Sequence, residues 1–252
     1  LMPSFTPTLA TPQELLTDLT EVYGTFTQQI SDTWLTAKPL SLRHNSLLDP
    51  TNQTINELQK AGFSVEVLPW YRQAWIITHP DLDHKACVEL LESTQAWKAG
   101  YLYRQNLASM VPSLLLELQP NHQVLDIAAA PGSKTSQIAA LLNNTGTILA
   151  NDISHARLYK LKANLETLGV TNTTVHHGLG ERIYQQFPAV FDAALADVPC
   201  SMMGRINIHD PKSNRPWSHK ENKSLAKRQQ WLLLSAISSV HSGGVVVYST
   251  CT

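Results

Sequence analysis

From about residue 100 to the end of the chain, short apolar runs alternate with helix-like segments. The strand-like runs read HQVLDIA, TGTILAND, TNTTVHH, VFDAALAD and GGVVVYST. Strands that are apolar throughout are typical of a parallel sheet with both faces covered by helices. Right-handed crossovers between such strands give an open sheet with helices on both sides. The sequence therefore predicts an α/β fold with a doubly wound, mostly parallel sheet.

The first hundred residues have a different rhythm. Residues 12–34 space their apolar positions like an amphipathic helix, and residues 36–93 combine two or three short strands with two helices. We therefore expect an N-terminal helical segment at 1–35, a smaller N-terminal α+β domain at 36–93 and the large α/β domain at 94–252.

Composition excludes several classes of protein. The chain has no run of eighteen apolar residues, and residues 1–30 lack the basic start and apolar stretch of a signal peptide. The three cysteines have unrelated spacings and form neither a disulfide framework nor a zinc-binding set. We expect a cytoplasmic protein with reduced thiols, without a bound metal and without a membrane attachment.

Five reactive or ionisable side chains follow the ends of predicted strands: Asp126, Asp152, Asp197, Cys200 and Cys251. In open α/β sheets, ligands bind outside the carboxyl ends of the strands, so these side chains should line one edge. A single cysteine is more often a small buried hydrophobic residue, which is the interpretation for Cys87. Two cysteines at equivalent strand ends favour a chemical role.

The turn DIAAAPGSKT after the first strand of this sheet matches neither a nicotinamide fingerprint nor a phosphate loop. Small residues followed by Pro-Gly let the backbone approach a ligand in front of a helix N-terminus. Asp152, which ends the next strand, is placed to accept hydrogen bonds from ribose hydroxyls. Together these features suit a nucleoside cofactor without a pyrophosphate, and S-adenosylmethionine fits.

A basic segment lies between Cys200 and Cys251. Seven Lys and Arg residues occur from Arg205 to Arg228 against two acids, although the whole chain has a net charge of −1. A local basic segment can attract a phosphate backbone. A solvated surface without a ligand is the alternative interpretation of the charge.

Taken together, these motifs resemble the Nop/Sun family of RNA cytosine-5 methyltransferases. The similar segments are DIAAAPGSKT, NTGTILAND, FDAALADVPCS, WSHKEN…AKRQ and GGVVVYSTCT, and LRHN is similar to the family's Arg-x-Asn segment. The pairing of D-x-P-C with S-T-C-T is the specific part. The resemblance implies a Rossmann-like methyltransferase fold, S-adenosylmethionine as cofactor and a monomer that acts on RNA. Ribosomal RNA is the expected substrate and transfer RNA the alternative.

The resemblance also implies roles for individual residues. Cys251 would add to C6 of the cytosine, Cys200 would release the product, Asp197 would hydrogen-bond the pyrimidine, and Lys134 would hold a thiolate or the cofactor turn. The residues expected to bind the cofactor are Ala128, Ala129, Ala130, Pro131, Gly132, Ser133, Lys134, Asp152 and Asp197. Those expected to contact RNA are Arg43, Arg205, Arg215 and Lys220.

The sequence departs from the family pattern in three places. After the third strand it reads HHGLG, so Gly178 or Leu179 stands where the family has an acid. Met202 replaces a glycine in PCSMMG, which would strain the loop if that position takes a positive φ. The sequence also ends where family members continue with two more strands, which predicts an exposed fifth strand and a chain incomplete at its C-terminus. An RNA-binding assembly factor that has lost catalysis is therefore the competing function.

Overall fold

The computed structural model describes residues 13–34, 38–49, 51, 53–202 and 218–250. Their contacts group them into two compact units. The larger unit contains residues 39–198 and 231–249, and the smaller unit contains the other described residues. Both sheets of the described chain lie in the larger unit.

The smaller unit begins with two helices. Helix α1 spans Gln13–Tyr23, a 3₁₀ turn spans Gly24–Phe26, and α2 spans Thr27–Asp32. Leu15 and Trp34 are buried in one cluster, which gives the apolar face of α1 its partner. The predicted helix over residues 12–34 is divided at Gly24, whose φ of 53° lies in the left-handed region.

An antiparallel sheet of four strands forms the first part of the larger unit. Its strands are β1 (Leu40–His44), β2 (Ser64–Val67), β3 (Ala74–Thr78) and β4 (Leu102–Arg104), in the order β2-β3-β1-β4. The accompanying helices are α3 (Thr54–Lys60), α4 (His84–Ser93), α5 (Gln95–Lys98) and α6 (Leu107–Leu114). Cys87 is buried in the core of this part, as predicted, beside Trp75 and Leu91. The sheet reaches one strand beyond the predicted boundary at residue 93.

A parallel sheet of five strands forms the second part of the larger unit. Its strands are β5 (Gln123–Asp126), β6 (Thr147–Asp152), β7 (Thr173–His177), β8 (Phe191–Asp197) and β9 (Val240–Ser249). Helices α7 (Ser133–Leu141) and α8 (His155–Thr167) join the first three strands, a 3₁₀ helix spans Gly180–Gln185, and α9 spans His219–Ser239. The strand order is β7-β6-β5-β8-β9. This order confirms the predicted doubly wound parallel sheet.

Both faces of the parallel sheet are covered at its centre, which explains why β5 and β8 are mostly apolar. Leu125 belongs to the same buried cluster as Leu232 of α9. Val124, the preceding residue, belongs to a second cluster with Ile138 of α7. Successive side chains of a strand point to opposite faces of the sheet. Leu125 and Val124 therefore pack against the helices on its two sides.

Within the described ranges, β9 is the outer strand of the sheet and pairs with β8. This position agrees with the expectation that the fifth strand lies at an edge. No helix in those ranges has both the length and the apolar character needed to span a membrane.

Candidate active site

The order of the parallel strands reverses between β5 and β8, because the chain runs outward from β5 to β7 and then returns to the other side of β5. In open α/β sheets, ligand sites form at the carboxyl ends of the strands next to such a reversal. Asp126 ends β5, Asp152 ends β6 and Asp197 ends β8. The three predicted acids therefore lie at one edge of the sheet.

Lys134 and Asp197 form a partly buried ion pair at this edge. Lys134 Nζ lies 2.6 Å from Asp197 Oδ2 and donates a second hydrogen bond of 2.9 Å to Ser109 Oγ. Ser249 Oγ donates to Asp197 Oδ1 at 2.8 Å. The Lys134 side chain is 11% exposed and that of Asp197 31%. The carboxylate is thus held at both oxygens by charge-assisted hydrogen bonding and still keeps an accessible side for a ligand.

Asp126 is a buried acid that interacts electrostatically with this ion pair. Thr135 Oγ1 donates a hydrogen bond of 2.7 Å to Asp126 Oδ2. Burial raises the pKa of Asp126 to about 7, while the Thr135 hydrogen bond and the charge of Lys134 act in the opposite direction. This carboxyl group therefore changes its protonation state near neutral pH.

The turn between β5 and α7 contains the residues predicted to bind the cofactor, and it is tied to the end of β6. Ala129 N donates to Asn151 O at 2.7 Å, and Ala130 N donates to Asp152 Oδ2 at 3.2 Å. Gly132 has a φ of 103°, and a Cβ at this position would lie 2.7 Å from Leu161 Cδ1. The turn therefore requires glycine at residue 132.

We expect Gly132→Ala to weaken cofactor binding at least tenfold and to lower the free energy of unfolding by about 2 kcal/mol, because the substitution combines an unfavourable φ with a steric clash. Titration with S-adenosylhomocysteine and urea denaturation measure the two effects. Gly243→Ala is the control, because Gly243 has a φ of 89° with no atom near its Cβ position. Equal losses of cofactor affinity in the two variants would contradict a specific role for the turn.

Asp152 is 2% exposed and has partners on both carboxylate oxygens. Oδ1 accepts a hydrogen bond of 3.0 Å from Ser154 N, and Oδ2 accepts the bond from Ala130 N. Arg157 Nη1 lies 3.2 Å from Oδ2, and Arg157 Nη2 donates to the carbonyl oxygen of Ala130. Because a carboxylate has about four acceptor positions, these three donors do not fill all of them.

Sequence analysis did not single out Arg157 or Ile153. Arg157 lies in the first turn of α8, where the helix dipole disfavours a cation. A basic residue at this position needs a compensating anion, so it could have indicated a carboxylate partner. Ile153 follows β6 directly, Leu179 lies two residues after β7, and both side chains are exposed. Exposed apolar side chains next to Asp152 suit contact with a purine ring. This part of the site therefore fits a nucleoside cofactor.

Cys200 and Met202 lie in the short described segment that follows β8, in the smaller unit. In this segment Pro199 O accepts a hydrogen bond of 2.8 Å from Gln229 Nε2 of α9. Met202 has a φ of 63°, which bears out the concern that this position takes a positive φ. Lys220 of α9 is exposed, as a contact with RNA requires. Three other predicted site residues lie outside the described residues, and their roles stay predictions: Arg205, Arg215 and Cys251.

We expect Met202→Gly to raise the free energy of unfolding by about 1 kcal/mol, because a residue with a Cβ pays a steric cost in the left-handed region that glycine avoids. Urea denaturation monitored by tryptophan fluorescence measures the change. Asn121→Gly serves as control, because Asn121 has a φ of 69° and asparagine tolerates this conformation better than methionine. A gain in Asn121→Gly as large as that in Met202→Gly would argue against strain at Met202.

The structure contradicts the prediction that Arg43 contacts RNA. The Arg43 side chain in β1 is fully buried. Its Nε donates to Gln105 Oε1 at 2.9 Å, and its Nη2 donates to Ser136 Oγ at 2.6 Å. Its guanidinium carbon lies 5.7 Å from the centre of the Tyr103 ring. Arg43 therefore joins the antiparallel sheet to α7, and a phosphate cannot reach it.

We expect Arg43→Met to lower the free energy of unfolding by about 2 kcal/mol, because it leaves the buried polar groups of Gln105 and Ser136 without their donor. The same variant should keep the salt dependence of RNA binding, because no phosphate contact is lost. Urea denaturation and fluorescence anisotropy with labelled RNA test the two statements. A drop of about 0.7 in the slope of log K against log salt concentration would instead indicate a phosphate contact.

Within the part of the chain that the structure describes, no group of three His, Cys, Asp or Glu side chains is arranged to hold a metal ion. The histidines at the end of β7 have other partners. His176 Nδ1 lies 2.9 Å from Asn151 Oδ1, and His177 Nε2 lies 2.9 Å from Ile153 O. These contacts tie the ends of β6 and β7 together.

Comparison with known proteins places this chain in a family. The family described as 16S rRNA methyltransferase RsmB/F matches residues 113–252. The ribosomal RNA small subunit methyltransferase F of Salmonella paratyphi C is 38% identical over 214 residues, which covers 84% of this chain and 44% of that protein. The protein of the same name from Aeromonas salmonicida is 38% identical over 216 residues, with the same coverage of both chains. The chain thus spans less than half the length of these curated relatives.

Two solved structures share the fold. A methyltransferase homologue from Pyrococcus horikoshii has a TM-score of 0.80 at 30% identity, over 94% of this chain and 73% of that one. NSun6 from the same organism, solved with SFG, has a TM-score of 0.84 at 24% identity, over 96% of this chain and 84% of that one. These similarities confirm the Rossmann-like methyltransferase fold that the sequence predicts.

Proposed function

Because the chain belongs to the RsmB/F family of 16S ribosomal RNA methyltransferases, we propose that it transfers a methyl group from S-adenosylmethionine to C5 of a cytosine in ribosomal RNA. The observation that carries the proposal is the Lys134–Asp197 ion pair, which lies at the carboxyl edge of the sheet. The names of the curated relatives favour ribosomal RNA as the substrate. Transfer RNA is the alternative substrate.

The residues around Asp152 fit the cofactor. The turn of residues 128–134 offers backbone groups in front of α7, Asp152 has acceptor capacity left for the ribose, and Ile153 offers an apolar surface to the adenine. When bound, S-adenosylmethionine supplies an electrophilic methyl group. The chain's part is to hold this methyl group next to the target base and to exclude water from it.

The chemistry at the base requires a nucleophile, because C5 of cytosine is too electron-poor to accept a methyl group directly. We assign the Cys251 thiolate to C6, where its addition breaks the C5–C6 double bond and makes C5 electron-rich. After C5 is methylated, a base accepts the C5 proton, the C–H electron pair re-forms the C5–C6 double bond and the Cys251 thiolate departs from C6. Cys200 is assigned to this release, by resemblance to the family.

Asp197 is assigned to hold the base. Its carboxylate can accept a hydrogen bond from the exocyclic amine of cytosine while Lys134 and Ser249 fix its orientation. A carboxylate fixed in this way orients the base for addition at C6 without reorganising during the reaction. The base must leave its stack to reach this edge of the sheet.

An RNA-binding assembly factor without catalysis is the second candidate. It is favoured by Met202, whose φ of 63° strains the segment that carries Cys200. It is also favoured by the missing acid after β7, where Gly178 or Leu179 stands in its place. The ion pair of Lys134 and Asp197 opposes this alternative, because a binding protein does not need it.

The deciding experiment is incubation of the chain with S-adenosylmethionine and ribosomal RNA, followed by mass spectrometry for 5-methylcytosine and by denaturing gels for protein–RNA adducts. We expect methylation by the wild type, none by Cys251→Ala and a gel-stable adduct with Cys200→Ala. Cys87→Ala is the matched control, because Cys87 is buried in the core of the antiparallel part.

The controls separate the candidates. Methylation that survives in Cys87→Ala and is lost in Cys251→Ala supports the proposed nucleophile. A folded wild-type protein that binds RNA and cofactor but forms neither product nor adduct would favour the assembly factor. A transfer RNA pool in a parallel reaction decides between the two substrates.

A further inference from the structure

A groove of about 160 Å³ lies between α8 and the edge strand β7. Its walls come from two elements: His155, Leu158, Tyr159 and Lys162 of α8, and Val175 and His177 of β7. None of these residues belongs to the turn of residues 128–134 or to the Lys134–Asp197 pair. The volume is well below the ~300–1,000 Å³ of pockets for drug-sized molecules, and it suits one planar group.

Aromatic rings line one side of the groove. The imidazoles of His155 and His177 stack with their centres 3.6 Å apart and their planes 22° from parallel. His177 is held by its contact with Ile153 O. Tyr159 lies one helical turn after His155, on the same face of α8, and it is 75% exposed. The three rings form an open surface on which a further ring can stack.

The groove also carries positive charge. Lys162 follows Tyr159 by three positions, so the two side chains are neighbours on the helix surface. From residue 155 to residue 165, α8 contains no acid; Arg157 pairs with Asp152, which leaves Lys160 and Lys162 as the further cations before Glu166. Strand β7 contributes no acid. A ligand that combines a flat ring with an anionic group therefore matches the groove.

We propose that this groove binds one nucleotide of the RNA substrate, next to the target cytosine in the strand or further along it. The base stacks on Tyr159 and the histidine pair, and its phosphate pairs with Lys162. Single-stranded RNA is recognised by this combination, because every base has a face that can stack on an aromatic side chain. The inference rests on the proposed function, since it takes RNA as the substrate.

Equilibrium binding of a fluorescently labelled single-stranded RNA tests the groove without requiring methyl transfer. We expect Tyr159→Ala and Lys162→Ala each to raise Kd by at least about fivefold, the lower end of the loss that removal of a stacking partner causes. Lys160→Ala is the matched control, because Lys160 is an exposed lysine of the same helix that does not line the groove. Equal effects of the two lysine variants would overturn the proposal, because they would indicate general attraction to a basic helix.

Salt dependence separates the two contacts. Lys162→Ala should reduce the slope of log K against log salt concentration by about 0.7, the value for one phosphate of a single strand. Tyr159→Ala should keep the wild-type slope, because stacking releases no counterion. A wild-type slope in Lys162→Ala would overturn the assignment of a phosphate to Lys162.

Two further ligands test whether the base that stacks in the groove belongs to RNA, to a free nucleotide or to the cofactor. Adenosine monophosphate tests a free nucleotide, and S-adenosylhomocysteine tests the cofactor. We expect the RNA to bind more tightly than the monophosphate, and we expect cofactor affinity to stay unchanged in Tyr159→Ala. Tighter binding of the monophosphate, or a loss of cofactor affinity equal to the loss for RNA, would overturn the proposal of an RNA contact.

Failure of the groove and failure of the proposed function give different results. A wild type that binds RNA but forms no 5-methylcytosine would refute the proposed function and leave the groove supported by its variants. A wild type that methylates RNA with Kd values unaffected by Tyr159→Ala and Lys162→Ala would keep the function and overturn the groove. Absence of any RNA binding by the folded wild type would overturn the groove as well.

Discussion

Lys134→Met is expected to lower kcat for methyl transfer by two to three orders of magnitude while the protein stays folded. Lys134 is the cation that faces Asp197, at a distance of 2.6 Å, and both side chains are partly withdrawn from water. Removal of one such preorganised electrostatic partner typically costs about 10²–10³ in kcat. Methyl transfer to ribosomal RNA at saturating cofactor measures the change. Lys160→Met, a substitution of an exposed lysine, should leave kcat at the wild-type value.

A double variant separates the catalytic role of the pair from its structural role. Lys134→Met leaves the Asp197 carboxylate without its cation, and Asp197→Asn leaves the Lys134 ammonium without its anion, so each single change should destabilise the protein. Lys134→Met combined with Asp197→Asn removes both charges and should recover part of the lost stability. Catalysis should stay low in the double variant. Recovery of activity together with stability would show that the pair acts only as a structural ion pair.

The parallel sheet could be predicted from the sequence because its signal is local. Most of the strands are short apolar runs that end in a polar residue, and most are followed by a helical segment. The rule that ligands bind at the carboxyl ends then placed Asp126, Asp152 and Asp197 at one edge without any knowledge of their side-chain contacts. The strand order of the structure agrees with this prediction.

Contacts between distant parts of the chain could not be predicted in this way. Arg43 was assigned to RNA by resemblance to the family, yet its partners Gln105 and Ser136 lie 62 and 93 residues further along. Ser109, which binds Lys134, lies in a helix whose sequence indicates only an apolar face. Nothing near Arg43 or Lys134 in the sequence encodes these pairings, since they depend on how α6 and α7 pack.

Asp126→Asn is expected to make the protein more stable than the wild type at pH 8, by a margin that shrinks as the pH is lowered towards 4. The pKa of Asp126 is raised from 3.8 to about 7, chiefly by burial. Between these two values the folded protein holds one proton more than the unfolded chain, so the free energy of unfolding falls as pH rises. Each pH unit corresponds to about 1.4 kcal/mol, which gives a total of about 4 kcal/mol over the interval. Above pH 7 the carboxyl group is ionised in both the folded and the unfolded state, so the free energy of unfolding no longer falls with pH.

Asparagine has nearly the shape of the protonated acid and can still accept the hydrogen bond from Thr135. Because it does not titrate, the variant should lose the decrease in the free energy of unfolding that Asp126 causes as pH rises. Urea denaturation at pH 5, 6, 7 and 8 measures the difference between variant and wild type, which should grow with pH in favour of the variant. Asp81→Asn, at an exposed position, serves as control and should follow the wild-type profile. A difference between Asp126→Asn and the wild type that stays constant from pH 5 to pH 8 would mean that the carboxyl group is ionised throughout. In that case the Lys134 cation would be shared between two carboxylates, and its effect on Asp197 would be correspondingly weaker.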